Sequence, residues 1–329
     1  MSKRADKREP GNGSGFTRHI PDYWWLALFP VMAVAPFFLG EYGTILAREM
    51  LIMGLFALSL NIILGNGGMV HFGHGAFFGI GSYTLAIMLK KYSINPYLSF
   101  VIAPVVTAFI ALIVGWFCVR LTALYFSILT IAFGQLFYII VFEWYGFTGG
   151  DDGIHGIPKP PLIDSHIEFY YFTLFVCLIS FILIKVILNS SFGVTLVSTR
   201  ENMERVSFLG VDVKRHQLIT FVIGSFFAGL AGALIAWHNQ FVFPLLLHWT
   251  KSAEPILSSL MGGMYYFFGP VIGASLLVFL HHFFTSNIPW PYSQFWPIVL
   301  GGLLLVMVLG APEGISGLAH RLTKKKGED

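Results

Sequence analysis

Charge is what this chain has least of. Twenty Lys and Arg with 17 Asp and Glu make up 11% of its 329 residues, where a soluble domain carries about 25%. Beside 56% hydrophobic residues and 33 phenylalanines, that scarcity excludes an ordinary water-soluble fold. Cysteine is nearly absent. Cys118 and Cys177 each lie inside an apolar run, which leaves no disulfide framework and no thiolate metal cluster. No G-x-x-x-x-G-K-S/T stretch occurs, so the loop that grips nucleotide phosphates is missing. No nucleophile–His–acid set stands at catalytic spacing, which argues against an enzyme. The opening "MSKRADKREPGNGSGFTRHIPDYWW" has no apolar core before Trp24, so it does not read as a cleaved signal peptide. It reads as a basic tail over residues 1–22, expected to be disordered, and not as a nucleic-acid arm, because the next segment enters lipid.

What is present is a succession of long apolar runs. A crossing needs about 20 mostly apolar residues. Candidates fall near 23–40, 45–65, 69–89, 97–118, 121–142, 169–189, 217–238, 252–262, 265–284 and 294–311. The expected fold is an all-α, polytopic transmembrane helical bundle of about ten segments over residues 23–318, one or two of them short or broken. The eighth segment is too short to cross as a straight helix. The third opens with "GNGGMVHFGHGAFFGIG", dense enough in Gly to start as irregular or re-entrant backbone, which lipid tolerates only inside protein. "GGMVHFGHGAFFGIGSY" and "GGMYYFFGPVIGASLL" echo each other as Gly-rich openings of spans.

The basic residues orient the bundle. With the tail, residues 190–216 and the basic C-terminal tail 319–329 all in the cytoplasm, fifteen of the 20 Lys and Arg lie inside, as the positive-inside rule asks. The exceptions are Arg48, Lys90, Lys91, Lys159 and Lys251. The long outer loop is then 143–168, rich in Gly, Pro and Asp. Its Glu143, Asp151 and Asp152 are candidate docking residues for an outer partner, or simply solvated acids.

The inner loop "STRENMERVSFLGVDVKRHQ" is the largest polar stretch between spans. Ser198-x-x-Glu201 has capping-box spacing, and Met203, Val206 and Leu209 recur every third residue. Gly210 suits a left-handed C-terminal cap. This predicts a short amphipathic helix over 199–209, with Asp212 capping the next helix. Such a helix is marginal alone in water. Either it rests on its own spans or it docks into a groove of another protein.

Within the spans, polar side chains are costly and often mark a pathway. His71 and His74, at i, i+3, could share a helix face; a third metal ligand is missing, and a path role or the capping of backbone groups both remain open. Thr130, Phe133 and Gln135 in the fifth span are the other candidate path residues, Gln135 foremost, because a buried amide needs a partner. An interhelical hydrogen bond is the plainer use of the same amide. The glycines at 75, 79, 81, 224, 229 and 232 favour tight helix packing. Almost no carboxylate lies in a span interior, which disfavours an ion-coupled secondary transporter.

Five motifs in order carry a resemblance. They are "GGMVHFGHGAFFGIGSYT", "LTALYFSILTIAFGQLFYIIV" with "FTGGDDGIHGIP", "TRENMERVSFLGVDVKRHQLITFVIGSFFAGLAGAL", "HWTKSAEPILSSLMGGM…FGPVIGA" and "APEGISGL". Over about residues 45–318 the chain resembles the branched-chain amino-acid ABC transporter permease family, LivM type. Glu204 to Gly210 keeps the spacing of that family's cytoplasmic coupling segment, without the two alanines that usually follow the Glu. The resemblance implies a permease subunit with no catalysis of its own, in the bacterial inner membrane, with both termini cytoplasmic. It implies a LivH-type second permease, two cytoplasmic ATPases that hold the ATP, a periplasmic substrate-binding protein, and no directly bound cofactor. Cargo would be leucine, isoleucine, valine or a related amino acid; the wider family also takes urea and short amides. Arg200, Glu201, Glu204, Arg205, Leu209 and Gly210 would then contact the ATPase.

Overall fold

The computed structural model describes residues 30, 32–121, 123–161, 163, 165–287, 296–310 and 314–317. Both expected tails, and residues 23–29 and 31 of the 23–40 segment, lie outside them. Helix α1 runs Pro36–Asn61 and passes directly into a π turn, Ile62–Asn66. Gly40, at φ 65°, breaks it near its start. The chain is then non-helical until α2, His74–Lys90. Helix α3, Pro96–Cys118, has Asn95 as cap and Pro96 in its first turn, where the missing N–H costs nothing. Helix α4 is Ala123–Glu143 and a single turn, α5, is Tyr145–Thr148. Helix α6, His166–Asn189, opens on a capping box: Ser165 Oγ accepts from Ile167 N, and Glu168 accepts from Ser165 N at 3.0 Å.

Helix α7 is Ser191–Glu201 and α8 is Met203–Phe208. Helix α9, Val213–Asn239, follows, then α10, Trp249–Gly262, α11, Gly269–Asn287, and α12, Trp296–Gly310. Two short strands, β1 (Ile154–His155) and β2 (Phe241–Val242), pair antiparallel and tie the loop between α5 and α6 to the end of α9.

Six described helices are long and apolar enough to cross a membrane. The expected count of about ten is not confirmed by these six, which are counted by length and composition among the described residues. At about 1.5 Å per residue, the 17 residues of α2 reach only about 26 Å, and the 14 of α10 about 21 Å. Both are flanked by irregular, partly buried backbone, residues 67–73 and 263–268. The two echoing Gly-rich stretches are these two interruptions.

The centre is built from α1 and α9, whose most apolar windows are 72% and 67% buried, whereas that of α4 is 17% buried. Glycine lets α9 touch its neighbours through backbone. A Cβ at Gly232 would fall 1.9 Å from Phe78 O, and one at Gly81 would fall 2.2 Å from Gly229 O. Ser82 Oγ donates across the same contact to Gly232 O at 2.7 Å. Here the glycines serve packing.

Candidate functional site

The segment between α6 and α9 differs from the single helix expected over 199–209. Helix α7 runs through Ser198, whose hydroxyl donates back to Val194 O at 2.9 Å instead of capping. The break falls at Asn202, with φ −157° and ψ 97°. Its side chain caps α8 by accepting from Arg205 N at 2.8 Å. Gly210, at φ 86°, ends the segment in the left-handed region, and Asp212 Oδ1 accepts from Arg215 N at the start of α9. The expected apolar stripe splits, because α8 lasts only six residues. Val206 is 6% exposed and anchors the turn, while Leu209 is 78% exposed. Phe208, at 88%, is more exposed still. Sequence reasoning passed over it because it lies off the three-residue period.

Glu201, Glu204 and Arg205 are exposed beside this apolar tip. Arg200 is not part of that surface. Its guanidinium donates to the Gly65 carbonyl and lies 5.4 Å from the Tyr265 ring centre.

His71 and His74 are 1% and 0% exposed. His74 Nε2 is 2.8 Å from Ser59 Oγ, and its ring stacks on Phe56. The His71 ring meets His74 edge-on at 5.3 Å and lies 4.8 Å from Phe221. Among the described residues, neither His71 ring nitrogen has a hydrogen-bond partner, and no group of three metal-ligating side chains occurs. Thr130 is brought to the same place. It is 1% exposed, and a Cβ on Gly73 would fall 2.2 Å from its carbonyl oxygen. Ser127, one turn earlier, donates to Val70 O at 2.7 Å. Phe133 and Gln135 lie further along α4, and the Gln135 Oε1 is buried without a partner among the described residues. The interrupted backbone before α2 thus leans on the least covered crossing helix, with polar groups at the seam.

Between α4 and α6, Glu143, Asp151 and Asp152 are exposed. Gly149, Gly150 and Gly153 all take positive φ, between 58° and 83°, and fold the loop back on itself. The Tyr145 hydroxyl donates to Asp152 at 2.7 Å, and that bond, with the carboxylate's charge, raises the phenol's pKa. Lys91 Nζ donates to Gly146 O at 2.6 Å. Trp144 and Tyr145, 57% and 65% exposed, flank the acids.

Six helices long and apolar enough to cross, two helices flanked by irregular backbone, and one exposed loop between α6 and α9 fit a multi-pass α-helical membrane protein. The family described as branched-chain amino acid transport system / permease component matches residues 44–308, and the chain belongs to it. It is similar to the high-affinity branched-chain amino acid transport system permease protein LivM of Escherichia coli (strain K12), 28% identical over 92% of this chain and 76% of that protein. The LivM protein of Salmonella typhimurium is 26% identical over the same shares of each chain. A probable branched-chain amino acid transport permease protein LivH of Methanocaldococcus jannaschii is 23% identical over 86% of this chain and 93% of its own. No solved structure matches the chain.

Proposed function

We infer that this chain is half of the translocation path of an ATP-driven importer for branched-chain or related small amino acids. The observation that carries the reading is the exposed Phe208–Leu209 tip between Glu204, Arg205 and Gly210, on the loop joining α6 to α9. An apolar tip rimmed by charge suits a groove in a protein partner. A permease without a phosphate loop needs a partner to spend ATP, so two ATPase subunits bind here from the cytoplasm and hold the nucleotide. The termini then lie on the same side as this loop, and the 143–168 loop lies outside. There Glu143, Asp151 and Asp152, with Trp144 and Tyr145, receive a substrate-binding protein. A LivH-type permease supplies the other half of the path, and lipid covers the remaining apolar surface. Nothing in this reading calls for nucleic acid or a directly bound cofactor. Buried dipoles at His71, His74, Thr130 and Gln135, with Phe133 beside them, suit a zwitterion with an apolar side chain better than a net charge.

The test is reconstitution. This chain, co-expressed with its neighbours, should purify with an ATPase and a second permease. In vesicles it should take up leucine, isoleucine or valine in preference to urea or short amides, and stop when the ATPase is made hydrolysis-dead. Uptake by the purified chain alone, driven by an ion gradient, would refute the assignment.

A further inference from the structure

Arg200 ends α7 on the inner loop, yet its side chain turns away from the surface a partner would meet. Nη1 donates to the carbonyl of Gly65, and the guanidinium faces the Tyr265 ring. The aliphatic stem presses on Gly68, where a Cβ would fall 2.6 Å from Arg200 Cγ. Gly65 lies inside the π turn Ile62–Asn66. A π turn carries one extra residue in the helical ladder, so its carbonyls are imperfectly matched along the helix and take side-chain donors readily. Tyr265 belongs to the other interruption, residues 263–268, which Asn61 also binds through Met264 O at 3.1 Å. One arginine therefore pins both breaks in the bundle to the inner loop. On their far side the residues after the π turn are fastened to α4, through Ser127 to Val70 O and through Gly73 against Thr130.

The geometry points to Arg200 as a positioning residue that carries displacement of the inner loop into residues 65–73 and on to α4. It is not a docking contact for the ATPase. This rests on the function proposed above and goes further, since it names the mechanical link. Coupling needs an element with two discrete arrangements. A π turn supplies one, because its surplus residue can shift along the ladder without the helix unfolding. Arginine suits the task better than lysine. Its planar fork bonds a carbonyl and lies against an aromatic ring at once.

The experiment uses the complete transporter in vesicles and measures ATP hydrolysis and uptake together, for wild type, Arg200→Gln, Arg200→Lys and Phe208→Ala. Arg200→Gln should keep its ATPase and go on hydrolysing ATP, while substrate moved per ATP falls by about tenfold, within the usual range of coupling strengths. Arg200→Lys should recover only part of that ratio. Phe208→Ala should instead weaken ATPase binding and leave the ratio unchanged in the complexes that form. Adding Ser127→Ala to Arg200→Gln should lower the ratio no further, because both act on one path. Wild-type transport per ATP in Arg200→Gln, or loss of ATPase in step with uptake, overturns the inference. Should Arg200→Gln fail to accumulate, Arg200→Lys carries the same criterion, and an unchanged ratio there overturns it too. A wild-type complex without ATP-dependent uptake would remove both this inference and the function above; a wild-type ratio confined to the Arg200 variants removes the inference alone.

Discussion

Replacing Gly232 by alanine asks whether α2 and α9 really meet through backbone. The added Cβ would fall 1.9 Å from Phe78 O and 3.0 Å from Ser82 Oγ. Ordinary C···O contact is about 3.3 Å, so the helices must part by more than about 1 Å. That movement breaks the Ser82 Oγ to Gly232 O bond and opens the neighbouring approach of Gly81 to Gly229. Overpacking costs about 1–3 kcal/mol, and a hydrogen bond between membrane helices contributes about 0.6–1.7 kcal/mol. Together the loss is about 3 kcal/mol. Thermal unfolding in detergent, followed by tryptophan fluorescence, should show a midpoint lower by about 5 °C or more. Gly302→Ala, on α12 where nothing lies within 4 Å of the new Cβ, should leave the midpoint unchanged. A Gly232→Ala midpoint equal to wild type would refute the backbone contact.

Other tests bear on the loops. Leu209→Ala and Phe208→Ala should each weaken ATPase association by about 1–2 kcal/mol, since each removes an exposed apolar side chain expected to be buried in the complex; pull-down at graded ATPase concentration reads this, and unaltered retention counts against the inner tip. Asn202→Ala removes the α8 cap and should cost that segment about 1 kcal/mol, seen as faster hydrogen exchange over residues 203–210 with the spans unaffected. Tyr145 should ionise above its ordinary value, because the hydrogen bond to Asp152 favours the neutral phenol and the carboxylate's charge adds to it. The contact is therefore complete at neutral pH and lost as pH climbs through that raised value. Difference titration at the phenolate absorbance, wild type against Asp152→Asn, should show one tyrosine moving to lower pH; no movement removes the contact.

Much of the bundle was legible because lipid imposes a simple demand. Runs of about 20 apolar residues must become helices, and α3, α4, α6 and α9 fall where those runs fall. Capping was legible where one candidate stood alone, as with Asp212. It failed at Ser198: Asn202, four residues on and not singled out from spacing, is the residue that caps. Spacing cannot tell which side chain leaves the helix, and Asn202 took the extended backbone while Ser198 stayed inside α7. The inward turn of Arg200 was illegible for another reason: its partner, Gly65, is 135 residues away in the chain. The same holds for β1 and β2, two residues each, whose pairing carries no local signature. At the candidate path, the sequence named His71, His74, Thr130 and Gln135 singly. That Gly73 sets the interrupted backbone against Thr130 depends on how α2 and α4 lie side by side.

Where Gly229 and Gly232 of α9 meet Gly81 and Phe78 of α2, no side chain acts as a cushion between the main chains. Two main chains in direct contact cannot slide or compress against each other, so the pair behaves as a keel. Any alternation of shape has to be absorbed elsewhere in the hull, and the hinges on offer are the surplus residue after Asn61 and the sharp corner at Asn202.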